Sequence, residues 1–214
     1  MVDNAWTFAS TGRRRAAVVA AIALLLPLER GVATFFFDFF AGSATTGFGR
    51  PPSHGVVGTG MFFVYASGFL PALLTMLPVL VVPRFGVATL VWVPLVVVGF
   101  PINYYFEWTV ERTWVTWWSG LGWTAAFLLS ALSVDVTYAL TGDRGSQRIR
   151  AILCGLCFGL ATYLTTIAAL AIVYRGPLPR DAGSFFGLTY FGLPWLLLHS
   201  AFGAFTADAI ARRA

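Results

Sequence analysis

The chain has 214 residues, of which 58% are hydrophobic and 11% charged, and its formal net charge is +5. Soluble domains carry about 25% charged residues, so this composition excludes an ordinary soluble domain and predicts an integral membrane protein. The basic residues are all arginine and most lie at predicted helix ends, which indicates membrane topology and argues against nucleic-acid binding.

Long apolar stretches recur along the whole chain. A helix that crosses a membrane needs about 20 mainly apolar residues, and six stretches meet this requirement. No linker and no internal repeat separates them, so we expect a single all-α transmembrane domain, residues 1–214, with about six helices. The predicted spans are 15–41, 57–82, 86–108, 115–140, 151–173 and 185–210.

The arginines are unevenly divided between the two ends of these spans. With the N-terminus in the cytoplasm, the inner segments carry the larger share, which satisfies the positive-inside rule. We therefore expect a multi-pass protein of the cell (inner) membrane with both termini cytoplasmic. The inner arginines are Arg13, Arg14, Arg15, Arg84, Arg144, Arg148, Arg150, Arg212 and Arg213, and the outer ones are Arg50, Arg112, Arg175 and Arg180.

Charged side chains interrupt the first span at Glu29 and Arg30. Charges are costly in hydrocarbon and usually pair with a group on another helix or line a path for protons or substrate. We expect the pairing, which would tie the first helix to a neighbour, and the path is the alternative.

The end of the third span combines an amide, a phenol and carboxylates, namely Asn103, Tyr105, Glu107 and Glu111. Glu107 and Glu111 are four residues apart and share a face if the helix continues. We expect a solvated helix end, because interfacial clusters of Glu and Arg usually are. The alternative is a site for a hard or borderline metal ion, which the two carboxylates would form with His54 of the preceding outer loop.

Asp135 is an isolated acid near the inner end of the fourth span. We expect its charge to be neutralised by arginines of the following inner loop, Arg144, Arg148 or Arg150. An acid that functions inside the membrane is the alternative.

The last two spans carry small and polar residues. Gly155 and Gly159 have the four-residue spacing that lets two helices approach closely, so this face is predicted to pack against another helix. Cys154 and Cys157 lie on one helical turn and are interpreted as packing residues, because no second pair of ligands completes a zinc site. His199 lies near the middle of the sixth span. We expect its ring to pack inside the bundle and form a hydrogen bond, and the alternatives are a metal ligand or a proton carrier.

Residues 86–163 also carry a recognisable order of side chains. Ala88 and Thr89 precede Ile102, Asn103, Tyr105 and Phe106, and an aromatic connection leads to Asp135, Leu140, Thr141, Gly142, Gly155, Leu156 and Gly159. This order resembles the A subunit of the copper-dependent membrane monooxygenases that oxidise ammonia, methane and short alkanes. The chain departs from that family at Phe100 and Pro101, where an acidic and an aromatic residue are expected.

The resemblance implies a non-catalytic subunit of a heteromeric, trimeric membrane complex. Its copper would be bound mainly by partner subunits, while this chain walls a hydrophobic cavity for a small apolar or neutral substrate. The resemblance gives Asn103, Tyr105, Glu107 and Asp135 a supporting or helix-tying role. It assigns catalysis to none of them.

Three other classes of function fit the composition. A small transporter, or the membrane-embedded substrate-binding subunit of one, would use proline-broken helices and the acids Glu29 and Asp135. A purely structural subunit of a membrane complex would need no cavity between spans three and four. An intramembrane lipid or isoprenoid enzyme would use Glu29 as an acid facing a second carboxylate.

Overall fold

A computed structural model describes residues 12, 15–26, 68–99, 114–142, 145–173 and 193–213. These residues form helices and turns and contain no β-strand, so the predicted all-α class is confirmed for them. The helices are α1 (Arg15–Leu26), α2 (Leu70–Val81), α3 (Val87–Pro94, continued by a π-helical turn over Leu95–Gly99), α4 (Trp114–Thr141), α5 (Gln147–Val173) and α6 (Leu193–Ala211).

Two helix ends depend on the residues that precede them. Helix α5 begins at Gln147, four residues before the predicted start, because the Ser146 hydroxyl accepts a hydrogen bond from the Ile149 amide at 3.3 Å and caps the helix. The arginines assigned to the inner loop at 148 and 150 therefore belong to the helix. Helix α3 follows Gly86, whose φ of 89° lies in the left-handed region that glycine adopts without strain.

The prolines act in two ways. Pro94 lacks an amide hydrogen, and the helix changes from α to π immediately after it, where the expected bend lies. Pro78 lies inside α2, as expected. Pro71 is the second residue of α2 and follows a π-helical turn at Gly68 and Phe69, so the helix changes from π to α beside this proline.

Helices α2 and α3 form the antiparallel hairpin that the tight turn predicts. The Arg84 amide donates to the Val82 carbonyl at 2.7 Å in this turn. Helix α4 packs against α3 and α5, and α6 packs against α5 and α2. The buried apolar core draws on all of these helices and on Ile22 and Leu26 of α1.

Helices α5 and α6 approach closely at a seam of small residues. A Cβ atom placed on Gly155 would lie 2.5 Å from the Ser200 carbonyl oxygen and 2.8 Å from the Ala204 Cβ. On Gly159 it would lie 3.0 Å from the Ser200 hydroxyl. The prediction that this glycine face packs against a helix is confirmed, and the partner is α6.

The bundle differs from a water-soluble protein on its surface more than in its core, which is mainly apolar. Large apolar side chains are exposed along the helices, whereas the buried set includes two carboxylates and several hydroxyls. The exposed residues include Leu24, Leu90, Leu129, Leu160, Leu164, Leu198 and Phe202, and the buried polar ones are Thr75, Ser130, Asp135, Thr162, Ser200 and Asp208.

One helix among the described residues, Gln147–Thr165, is long and apolar enough to cross a membrane. Shorter apolar helical stretches cover Arg15–Leu26, Leu70–Val81, Val87–Val97 and Phe127–Thr141. A bundle of six spans therefore remains a prediction from the sequence.

Candidate functional site

The Asp135 carboxylate joins α4 to the start of α3. Its Oδ1 accepts a hydrogen bond from the Ala88 amide at 3.0 Å, and its Oδ2 accepts from the Thr89 amide at 2.9 Å and from the Thr89 hydroxyl at 2.7 Å. The side chain is 2% exposed. Three donors in a buried environment satisfy a charged acceptor and fix the distance between the two helices.

The sequence explains why the acid must come from another helix. The residue before α3 is Gly86, which has no side chain to accept hydrogen bonds from the first amides of the helix. Asp135 takes the place of this missing N-cap and brings a negative charge to the positive end of the α3 dipole. The site is thus a helix cap supplied from 46 and 47 residues away.

This arrangement corrects the expectation that inner-loop arginines neutralise Asp135. Arg148 lies beside Asp208 instead, and the Arg150 guanidinium lies 5.0 Å above the Tyr138 ring. Arg144 lies outside the described residues. The first amides of α3 and the Thr89 hydroxyl bind the carboxylate instead, because the free N–H groups at a helix start favour an anion.

An aromatic and hydroxyl cluster joins four helices one turn further along α3. The fully buried Trp92 donates from Nε1 to the Thr75 hydroxyl at 2.9 Å, and Thr75 donates to the Pro71 carbonyl at 2.6 Å. The indole stacks on Phe127 of α4 with ring centres 4.8 Å apart and lies 6.4 Å from Phe158 of α5. Both polar atoms of the pair are therefore satisfied inside an apolar layer.

Helices α4 and α5 share a second hydroxyl contact. Thr162 lies 2.9 Å from Ser130, oxygen to oxygen, and donates to the Phe158 carbonyl at 2.8 Å. Both side chains are fully buried. This polar contact joins α4 to α5 in a part of the bundle where the exposed faces of both helices are apolar.

Asp208 is the second buried acid and ties α6 to α5 at the inner end. Arg212 donates from Nε to Oδ1 at 3.1 Å, and its Nη2 lies 3.0 Å from Oδ2 without the alignment of a hydrogen bond. The Nε of Arg148 lies 3.8 Å from the same oxygen. Two arginines therefore surround one carboxylate, and the spacing Asp208 to Arg212 could have indicated half of this group from the sequence.

His199 lies on α6 with Nδ1 2.8 Å from the Trp195 carbonyl oxygen. The distance indicates that Nδ1 carries the proton and donates to the preceding turn. Within the described part of the chain, no three histidine, cysteine, aspartate or glutamate side chains lie together as a metal site would require. Cys154 and Cys157 are free thiols in the same part.

Most of the residues predicted to function lie outside the described ranges. Asp135 and His199 are described, and the structure does not bring them together with each other. The others are Glu29, Arg30, His54, Asn103, Tyr105, Glu107 and Glu111, and all of them lie in segments that the structure does not describe. Thr75 and Trp92, which the sequence did not single out, share a buried hydrogen bond between α2 and α3.

Comparison with known proteins identifies no relative: no protein-family model, no curated protein and no solved structure matches this chain.

Proposed function

We propose that the chain is a membrane-embedded scaffold subunit of a heteromeric complex in the cell membrane. The observation that carries this proposal is the set of large apolar side chains on the exposed helix faces, together with a few carboxylates and hydroxyls in a mainly apolar interior. Lipid is as apolar as leucine, so a bundle in a bilayer gains cohesion from small residues and polar contacts in its interior. The Gly155 seam and the Asp135 cap are contacts of this kind.

The non-catalytic character of the proposed role follows from how the buried acids are used. Asp135 is bound by three donors of α3, and Asp208 is bound by arginines. Both acids are therefore engaged in holding helices together. A scaffold requires stable helix contacts of this type and no reactive group in the described part of the bundle.

The finer proposal is a role like that of the A subunit of the copper-dependent monooxygenases. Its support is the order of residues in the block 86–163, and the Asp135 cap joins two of the matching elements, Ala88–Thr89 and Asp135. The described residues do not fit a copper site, because their acids are engaged elsewhere and no cluster of ligands occurs among them. Following the resemblance, copper is proposed mainly on partner subunits, with both termini of this chain cytoplasmic; the candidate ligands His54, Glu107 and Glu111 lie outside the described residues.

A transporter subunit is the second candidate, favoured by the change from α to π after Pro94. Broken helices in transporters expose helix ends that bind substrate or ions. Here the start of α3 is already occupied by Asp135, which favours the scaffold.

The test is gentle extraction of the tagged chain from its native membrane, identification of co-purifying proteins by mass spectrometry and a copper assay of the same sample. A scaffold predicts stoichiometric membrane partners, and the monooxygenase role further predicts copper that leaves with those partners when the complex is dissociated. In a second sample the membranes are crosslinked before extraction. If the chain still purifies without other proteins, the scaffold proposal is contradicted. Stoichiometric partners without copper would contradict only the finer proposal.

A further inference from the structure

Two arginines converge at the inner end of the α5–α6 seam. The Arg148 side chain is 52% exposed and that of Arg212 is 44% exposed, whereas the Asp208 side chain between them is fully buried. One buried negative charge faces two cations there. The group therefore carries an excess positive charge on its exposed side.

The hydrogen-bonding capacity of Arg148 is largely unused. A guanidinium has five N–H donors. Arg148 contacts Asp208 through Nε at 3.8 Å, beyond hydrogen-bond distance, and its Cζ lies 5.1 Å from the centre of the Phe205 ring. Its two terminal nitrogens form no hydrogen bond with a described residue, so a planar fork of donors is presented at the surface beside Arg212.

An exposed apolar stripe on α6 runs away from this pair. Trp195, Leu198 and Phe202 are 51%, 58% and 57% exposed and are spaced three and four residues apart, so they share one face. Phe205 continues the stripe, with its ring 6.4 Å from that of Phe202, and lies under Arg148. The stripe from 195 to 205 is about 15 Å long at the rise of an α-helix.

We propose that Arg148 and Arg212 bind the phosphate of an anionic phospholipid whose acyl chain lies along the Trp195–Phe202 stripe. Arginine forks match the geometry of phosphate oxygens, and the stripe provides apolar contact over roughly the length of an acyl chain. Both features start at the same point, Phe205 beneath Arg148, which is why the occupant is a lipid. The inference rests on the proposed membrane location, but on none of the proposed partners.

The experiment uses the full-length purified chain and measures bound lipid by native mass spectrometry after exposure to equal amounts of phosphatidylglycerol and phosphatidylcholine. The wild type is expected to retain the anionic lipid about fivefold over the neutral one, because the phosphate of phosphatidylglycerol has no choline cation beside it to compete with the two guanidinium groups. R148Q should reduce this preference to near unity. In R148Q the Asp208 carboxylate keeps Arg212 as its charged partner, and α5 keeps its contact with α6 along Gly155 and Gly159.

R213Q is the matched control, since it removes the same charge from an exposed side chain next to Arg212. It is expected to leave the preference within about twofold of the wild type, because surface charge away from a defined fork acts only through a screened field. R148K should retain part of the preference, since it keeps the charge and loses the fork.

Equal preferences in the wild type and R148Q, or equal losses in R148Q and R213Q, would overturn the site. If millimolar inorganic phosphate displaced phosphatidylglycerol and raised the unfolding temperature of the chain as much as the lipid does, the two arginines would be a site for a soluble anion. That result would overturn the proposal of a lipid. Alkaline carbonate extraction of membranes that contain the full-length chain tests the membrane location separately from the lipid site. Release of the chain into the supernatant would contradict the membrane location, whereas retention without lipid preference would contradict only this inference.

Discussion

At the scale of single residues, the described bundle uses its two buried acids in different ways. Asp135 binds backbone amides at the start of another helix, and Asp208 binds guanidinium groups at the inner end. Removing an acceptor that serves several buried donors leaves those donors without a partner, and this costs more than the net contribution of each hydrogen bond. Single substitutions at these buried polar atoms are therefore expected to change stability more than substitutions at exposed ones.

Asp135→Asn is expected to destabilise the chain by about 2–3 kcal/mol, because the amide loses the charge and turns one NH₂ group toward the donors of Ala88 or Thr89. Unfolding in mild detergent, followed by circular dichroism, measures the change. Thr89→Val is the graded control, since it removes one hydroxyl bond and leaves both amide bonds, and about 1 kcal/mol is expected. Full stability of D135N would show that the cap contributes nothing.

Ser200→Ala is expected to stabilise the chain by about 0.5–1 kcal/mol, because the buried Ser200 hydroxyl has no hydrogen-bond partner among the described residues and its desolvation is uncompensated there. Ser130→Ala is the matched control. Ser130 is also fully buried but lies 2.9 Å from the Thr162 hydroxyl, so its loss should cost about 1 kcal/mol. The same unfolding measurement separates the two variants, and a loss of stability in S200A would contradict the account.

At the scale of helices, contacts between elements depend on how closely backbones approach. Helix α6 meets α5 along Gly155 and Gly159 and meets α2 at Gly203, where an added Cβ would collide with the Phe69 carbonyl. Such close contacts gain dispersion energy that lipid cannot replace. The position of α6 is therefore set by glycines on two of its contact surfaces.

The two glycines of α5 should respond differently to alanine. Gly155→Ala places Cβ against backbone atoms of α6 at 2.5 and 2.9 Å and is expected to destabilise by about 1–3 kcal/mol. Gly159→Ala meets the movable Ser200 hydroxyl at 3.0 Å and gains helix propensity of about 1 kcal/mol, so little net change is expected. Thermal unfolding of both variants in the same detergent measures the difference, and equal effects would contradict the seam.

The sequence predicts helices well and their partners poorly. Hydrophobic length alone placed the ends of α4 within one residue, at 115–140 against Trp114–Thr141. The glycine spacing indicated a contact face on α5 without naming α6. The partner of Asp135 escaped prediction because its donors are mostly backbone amides, which every residue carries and no side-chain pattern reveals.

At the scale of the whole molecule, the surface and the interior of the bundle follow one physical principle. A bilayer removes the hydrophobic driving force between helices and raises the cost of unpaired polar groups, so polar contacts belong inside and large apolar side chains outside. Among the described residues, exposed large apolar side chains occur on all six helices, and buried polar side chains occur on α2, α4, α5 and α6. A scaffold that holds partner subunits in a membrane requires an interior of this type.

Spin labels test most directly whether the exposed apolar faces of the helices contact lipid. Single cysteines at Leu129, Leu160 and Gln147 are labelled in a chain whose Cys154 and Cys157 are replaced by alanine, reconstituted in bilayers. Collision with oxygen, which concentrates in lipid, and with a water-soluble nickel chelate is then measured for each label. We expect high oxygen and low nickel access at 129 and 160, and high nickel access at 147. High nickel access at 129 and 160 would show that these faces meet water and would contradict the account.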